Sequence, residues 1–253
     1  MKNRSYLFVS LLLIATFLIK PIFSEPTPYI LATQQKAGSH LLMKLLGMLH
    51  GERRPEYFYH LDETNFHPSM LEESWKKGNN PYVHLFKPQK THQYFYNHHH
   101  NFKVITILRD IRDAYVSYAH MIAKDPTLTE KEKIDNTMNK GGYYRMSYDL
   151  SLFLDDPRFY VIRFEDLVGP RGGGDKKRQT HTIYNLAAYI GMPISYAKAS
   201  KLGDDLFGGK TMTFRKGQIG SWKKACNAEQ KRWLKEHFST ELIRLGYEEG
   251  YDW

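Results

Sequence analysis

One cysteine, Cys226, is the only thiol in a sequence of 253 residues. A single thiol cannot form an intramolecular disulfide, so a fold held together by disulfides is excluded and the domain must rest on its core. The spacing Gly-x-x-x-x-Gly-Lys-Ser/Thr is also absent, which disfavours a nucleotide or sugar kinase. No His, Cys and Asp residues occur at metal-ligand spacing, and the contiguous histidines at 98–100 are typical of a solvated loop.

Apolar residues make up 42% of the chain and aromatic residues 14%, which is enough to bury a sizeable core. The formal net charge is +9, and this favours a polyanionic ligand or an anionic surface as a partner. Many basic proteins of this size bind no anion as their main ligand, so charge alone leaves the function open.

The N-terminus has the layout of an export signal. Lys2 and Arg4 precede residues 6–19, a stretch of low polarity that is too short to span a bilayer comfortably. We predict a secretory signal peptide over residues 1–24 and an exported mature domain over residues 25–253, with no stable membrane insertion after cleavage. The destination is the cell exterior, the periplasm or the lumen of the secretory pathway. An uncleaved membrane anchor is the alternative.

Strands alternate with helices along the rest of the chain. Apolar runs predict strands at residues 28–33, 82–86, 103–108 and 159–164, and helical spacing predicts helices at 41–49, 113–121 and after Asp175. This alternation indicates right-handed βαβ units. The predicted fold is a single three-layer α/β domain with a central parallel β-sheet flanked by helices, similar to the P-loop NTPases. Ligands bind beyond the carboxyl ends of such strands, where Lys36 and Arg109 lie.

The loop after the first strand has the features of an anion site. Lys36, Gly38 and Ser39 precede a helix, whose first N–H groups and dipole favour negative charge. An ordinary turn with a surface lysine is the alternative. The segment 33–39 resembles the 5′-phosphosulfate loop, T-x-P-K-S-G-T/S, of sulfotransferases that use 3′-phosphoadenosine 5′-phosphosulfate (PAPS). Gln35 replaces the usual proline and Ala37 the usual serine.

Two further segments resemble that family. Arg109 to Ser117 matches the 3′-phosphate motif R-x-x-R-D-x-x-x-S, and an arginine at a strand end can grip a phosphate with two hydrogen bonds. The alternative interpretation takes Arg112 and Asp113 as solvated charges at a helix start. Residues 215–223 match R-K-G-x-x-G-x-W-K, where glycine allows a basic loop to approach an anion closely. The resemblance covers roughly residues 28–245.

This resemblance implies transfer of the sulfuryl group from PAPS to a hydroxyl or amine, with release of adenosine 3′,5′-bisphosphate and without a metal. Lys36 would stabilise the leaving oxygen, and His84 would be the general base, with Asp62 and Glu63 as carboxylate candidates by position. The alternative for His84 is a packing histidine on an otherwise apolar strand. Tyr82 stands where cytosolic members carry a second catalytic lysine. The residues expected to bind PAPS are Lys36, Ala37, Gly38, Ser39, His40, Arg109, Ser117, Phe164, Arg215, Lys216 and Gly217.

The resemblance implies a small-molecule, glycan or peptide acceptor and no nucleic-acid partner. Specificity is expected in the segments 50–80 and 122–148. The dimer motif of cytosolic members is missing, since Asn227 and Ala228 replace Thr-Val and Arg232 replaces glutamate. A non-catalytic module that binds sulfated or phosphorylated ligands is the alternative function, which the combination of Lys36 with His84 disfavours.

Overall fold

A computed structural model gives the architecture of the chain. It describes residues 29–51, 60–62, 73–74, 76–78, 80, 82–84, 92–93, 97, 103–140, 150–208 and 215–253, and only the backbone at 60–62, 83 and 84. The predicted signal peptide, Glu63 and the histidines at 98–100 lie outside these ranges.

Five parallel strands form the central sheet of the described residues. In chain order they are β1 (Tyr29–Thr33), β2 (His60–Asp62), β3 (Tyr82–His84), β4 (Lys103–Leu108) and β5 (Phe159–Arg163). Across the sheet their order is β2-β3-β1-β4-β5, which places β1 at the centre. All four pairings are parallel, so the carboxyl ends of the strands meet at one edge of the sheet.

Helices connect and cover these strands. They are α1 (Ser39–Leu49), α2 (Ile111–Ile122), α3 (Glu130–Lys140), α4 (Phe164–Leu167), α5 (Lys176–Tyr189), α6 (Tyr196–Leu206), α7 (Trp222–Ala225) and α8 (Ala228–Arg244). Within the described residues, none of these helices is both long and apolar enough to cross a membrane.

The alternation of side chains along the strands divides the core into two halves. Ile30 and Ala32 of β1 belong to a buried cluster with residues of α2, α3, α7 and α8, whereas Tyr29 and Leu31 belong to a second cluster with α1, α4, α5 and α6. Both faces of the sheet are therefore covered, as expected for a parallel sheet. The predicted three-layer α/β fold is confirmed.

The observed elements differ from the predicted ones in several places. Helix α2 begins at Ile111, before the predicted start, because Asp110 caps it by accepting a hydrogen bond from Arg112 N at 2.9 Å. Strand β5 ends at Arg163, and Phe164 begins α4 instead of ending the strand. Strand β2 was not predicted, since three residues are too few to show a strand period.

Candidate active site

The loop between β1 and α1 turns sharply at Lys36. This residue has φ of 66° and is the one non-glycine with a positive φ among the described residues. The N–H of Ala37 donates to Gln34 O at 3.3 Å and closes the turn. Gly38 occupies the N-cap position and brings no side chain to cap the helix. The first N–H groups of α1 therefore form an anion-binding end.

Gly38 also leaves room for a buried ring. A Cβ atom at this position would lie 2.7 Å from Cδ2 of Phe164 and 3.1 Å from Cδ1 of Ile107. The guanidinium carbon of Arg109 lies 4.2 Å from the centroid of the same Phe164 ring, within the range of a cation–π contact. Phe164 therefore packs against a residue of each of the first two motifs.

Arg109 bridges loops from distant parts of the sequence. Its Nη1 donates to Lys36 O at 3.3 Å, and its Nη2 donates to Gln218 O at 3.0 Å. Arg109 is 7% exposed, and its buried Nε has no hydrogen-bond partner among the described residues. A buried donor of this kind needs an acceptor, which a bound anion would provide.

The basic loop that begins at Arg215 packs closely on the glycine-rich segment before α5. Gly217 has φ of 60°, and a Cβ atom on Gly172 would lie 2.6 Å from its carbonyl oxygen. Ile219 N donates to Gly172 O at 3.0 Å. Because the two backbones approach so closely, a side chain at position 172 would not fit, and glycine is needed there.

Asp113 holds the other end of this basic loop. Its Oδ2 accepts a hydrogen bond from Gly220 N at 2.7 Å, and its Oδ1 accepts from Ser221 Oγ and Trp222 N, each at 2.9 Å. Arg112 is also buried, with its guanidinium carbon 4.3 Å from the centroid of the Trp222 ring. The interpretation of Arg112 and Asp113 as solvated charges is therefore wrong, because both are anchors of the fold.

Three hydroxyl groups meet beneath the first loop. Thr33 Oγ1 lies 2.5 Å from Ser39 Oγ and donates to the hydroxyl of Tyr82 at 3.1 Å. Burial raises the pKa of Tyr82, and its hydrogen bonds with Ser39 and Thr33 oppose this effect only in part. Tyr82 is therefore a neutral hydroxyl at physiological pH.

A single cavity of about 330 Å³ brings the three motifs together, a volume that suits a small ligand. Ten of the eleven residues predicted to bind PAPS line it: Lys36, Gly38, Ser39, His40, Arg109, Ser117, Phe164, Arg215, Lys216 and Gly217. Ala37 is fully buried in the core instead, so its side chain has no place in the cavity.

The candidate general bases lie along the same edge of the sheet. His84 is in register with Thr33 of β1 and with Asp62 of β2, at the carboxyl ends of the three strands. The side chains of His84 and Asp62 lie outside the described residues, so the role of each stays a prediction.

Positive charge accumulates around Lys36. Burial lowers the pKa of its ammonium, and the nearby Arg109 and Arg215 guanidinium groups lower it further. A bound anion would relieve this repulsion. The buried Nε of Arg215, like that of Arg109, has no hydrogen-bond partner among the described residues. The site therefore fits a negatively charged ligand.

Two contributing residues were not identified from the sequence. Lys44 of α1 lines the cavity, and its Nζ donates to the carbonyl oxygens of Asp205 and Leu206 at 2.8 Å and of Gly208 at 3.0 Å. Glu130 of α3 accepts hydrogen bonds from Arg215 and Lys216. Each looks like a surface charge in the sequence, because its partners are distant along the chain.

Comparisons with known proteins point to one family. Sulfotransferase 6B1 of Danio rerio is 22% identical over 173 residues, which are 59% of this chain and 56% of that protein. The match thus spans little more than half of that relative's length.

Two solved structures share the fold. Mouse sulfotransferase SULT7A1 complexed with PAP has a TM-score of 0.57 at 16% identity, covering 87% of this chain and 86% of that one. Retinol dehydratase in complex with androsterone and inactive cofactor PAP also has a TM-score of 0.57, at 15% identity, covering 84% and 81%. The family model described as sulfotransferase domain matches residues 26–246. The chain therefore belongs to the sulfotransferase domain family.

Proposed function

We propose that this chain transfers the sulfuryl group from PAPS to a hydroxyl or amine of an acceptor and releases adenosine 3′,5′-bisphosphate. The observation that carries the proposal is the convergence of three motifs, separated by up to 180 residues, on one cavity rich in cations. The two solved structures of the same fold were determined with PAP, and this supports the choice of donor.

The residues of the cavity suit the two ends of PAPS. Residues 36–40 would hold the 5′-phosphosulfate through the N–H groups at the start of α1, the Ser39 hydroxyl and the Lys36 ammonium. Arg109, Ser117 and residues 215–217 would hold the 3′-phosphate. Phe164 offers an apolar wall between them.

When bound, PAPS supplies an activated sulfuryl group. Lys36 would place a positive charge beside the leaving oxygen, where negative charge develops. Because its pKa is lowered, Lys36 is also a better proton donor than an ordinary lysine. His84 would accept the proton of the attacking group, since an imidazole is half protonated near neutral pH.

The acceptor class is a small molecule, a glycan or a peptide, and we propose that the enzyme works after export. PAPS is made in the cytosol, so the enzyme needs a compartment into which the donor is imported, or delivery into another cell. No nucleic-acid partner is proposed, because the cationic groups converge in a cavity of small-molecule size.

The direct experiment follows radiolabelled sulfate from PAPS to a panel of phenols, sugars and tyrosyl peptides. We expect transfer of the label to depend on PAPS and to be inhibited by added adenosine 3′,5′-bisphosphate. Tight binding of the product without transfer to any acceptor would indicate a non-catalytic binding module, and phosphoryl transfer from ATP would indicate a kinase.

A further inference from the structure

Glu130, the first residue of α3, lies against the basic pair that begins the C-terminal loop. Its Oε1 accepts hydrogen bonds from Arg215 Nη1 at 2.9 Å and from Lys216 Nζ at 3.3 Å. The same oxygen lies 3.0 Å from Nε2 of His120 on α2. One carboxylate oxygen therefore engages both cations of the loop and a histidine of a neighbouring helix.

These two cations belong to the cavity, whereas Glu130 is absent from its described lining. The side chain of Lys216 is 51% exposed and that of Glu130 is 33% exposed. Water can therefore replace the ion pair between them at little cost in free energy. Arg215 keeps its buried Nε without a partner among the described residues. An incoming phosphate thus finds a guanidinium and an ammonium that each already donate a hydrogen bond to a carboxylate.

Glu130 carries a negative charge at physiological pH. Burial alone would raise the pKa of this carboxyl, but hydrogen bonds from Arg215, His120 and Lys216 outweigh it and lower the pKa to about 2. A phosphate and a carboxylate repel each other when they share the same donors. The two anions therefore compete for Arg215 and Lys216.

We propose that Glu130 is an internal counter-ion that competes with the nucleotide 3′-phosphate for Arg215 and Lys216 and so sets the affinity of the site. The inference rests on the proposed function, because that function identifies the competing group as a 3′-phosphate. His120, which lies outside the described cavity lining, provides Glu130 with a remaining partner when the two cations turn to phosphate. A site balanced in this way releases its product more readily than one with unopposed cations.

The test measures binding of adenosine 3′,5′-bisphosphate and of AMP, which lacks the 3′-phosphate, to the full chain. Glu130→Gln removes the charge and should tighten binding of the bisphosphate about fivefold, the upper end for a partly exposed ion pair. Binding of AMP should not change. The gain should vanish in about 1 M salt, where the screening length is about 3 Å.

Three further variants control the interpretation. Glu130→Ala removes the same charge and should show the same gain, so the test does not depend on one variant that folds. Glu130→Asp keeps the charge and should bind like the wild type. Glu236→Gln removes an exposed charge on α8 and should also bind like the wild type.

Unchanged or weaker bisphosphate binding by folded Glu130→Gln and Glu130→Ala would overturn this inference but leave the proposed function standing. An equal gain in affinity for AMP would overturn it as well. The effect would then be a general electrostatic effect on any anionic ligand, and not competition with the 3′-phosphate. A wild-type chain that binds neither nucleotide would refute the proposed function, and the inference with it.

Discussion

At the scale of single residues, the proposed chemistry centres on Lys36. Its left-handed backbone places it at the turn of the first loop. Burial lowers the pKa of its ammonium, and the Arg109 and Arg215 guanidinium groups lower that pKa further. Besides binding an anion, a positively charged group at this point can stabilise negative charge that develops beside it. The proposed reaction supplies that charge on the leaving bisphosphate.

Lys36→Ala should therefore reduce the rate of sulfuryl transfer by about 100-fold or more, the cost of removing one preorganised charge from a transition state. The melting temperature should stay close to that of the wild type, because the side chain is only partly buried. Lys124→Ala, in an exposed loop, is the matched control. Full turnover by Lys36→Ala would exclude this role of the first loop.

The general base gives a second prediction. His84→Ala should slow transfer to an unactivated alcohol by about 100-fold, within the range for loss of a general base. Transfer to a nitrophenol, which ionises without help, should slow far less. Near-normal rates with the alcohol would rule out His84, and Asp62→Asn would then test the carboxylate in register with it.

At the scale of elements, helix α2 performs two tasks at once. Arg109 before it and Ser117 within it line the cavity, whereas Arg112 and Asp113 face the core and hold the C-terminal loop. The segment that resembles the 3′-phosphate motif thus lines the cavity with some of its residues and anchors the fold with others. This division explains how a loop about 100 residues further along the chain reaches the same cavity.

Asp113→Asn tests the anchor. The asparagine keeps one acceptor oxygen but turns an N–H₂ group toward the donors of the loop, which should cost about 2 kcal/mol or more in the free energy of unfolding. Urea denaturation measures this cost, and binding of the bisphosphate should weaken in parallel. Asp166→Asn, which loosens a contact of 3.6 Å with exposed Arg178, should change stability by less than about 0.5 kcal/mol. Equal effects of the two variants on stability would refute the anchoring role of Asp113.

Gly38→Ala tests the packing of the first loop against Phe164. The variant must both adopt φ of 113° and place a Cβ atom 2.7 Å from the buried ring. Gly51→Ala has a smaller backbone penalty, at φ of 79°, and its Cβ atom meets nothing within 4 Å. We expect the Gly38 variant to lose about 1–3 kcal/mol more than the Gly51 variant in chemical denaturation. Equal losses would show that neither the Phe164 ring nor the backbone angle of Gly38 opposes a Cβ atom at this position.

At the scale of the whole molecule, the sequence predicted the layers and the edge of the sheet where the site lies. Strand β4 and helix α1 were found because each carries a long apolar pattern of its own. The three motifs were found because each is local. Strand β2, Lys44, Glu130 and the burial of Asp113 were missed, since each depends on partners that only the folded chain brings near.

The fate of the N-terminus is a prediction for the whole chain. Sequencing of the protein recovered from its native compartment should find Glu25 as the first residue, with the signal peptide removed. Recovery of a chain that still begins at Met1 in a membrane fraction would indicate an anchor instead.

The most direct test of the central claim is a crystal structure of the chain with adenosine 3′,5′-bisphosphate. The 5′-phosphate should lie on the N–H groups at the start of α1 beside Lys36, and the 3′-phosphate should contact Arg109, Ser117 and Arg215. A nucleotide bound elsewhere, or one with its two phosphates exchanged between these positions, would contradict the assignment of the site.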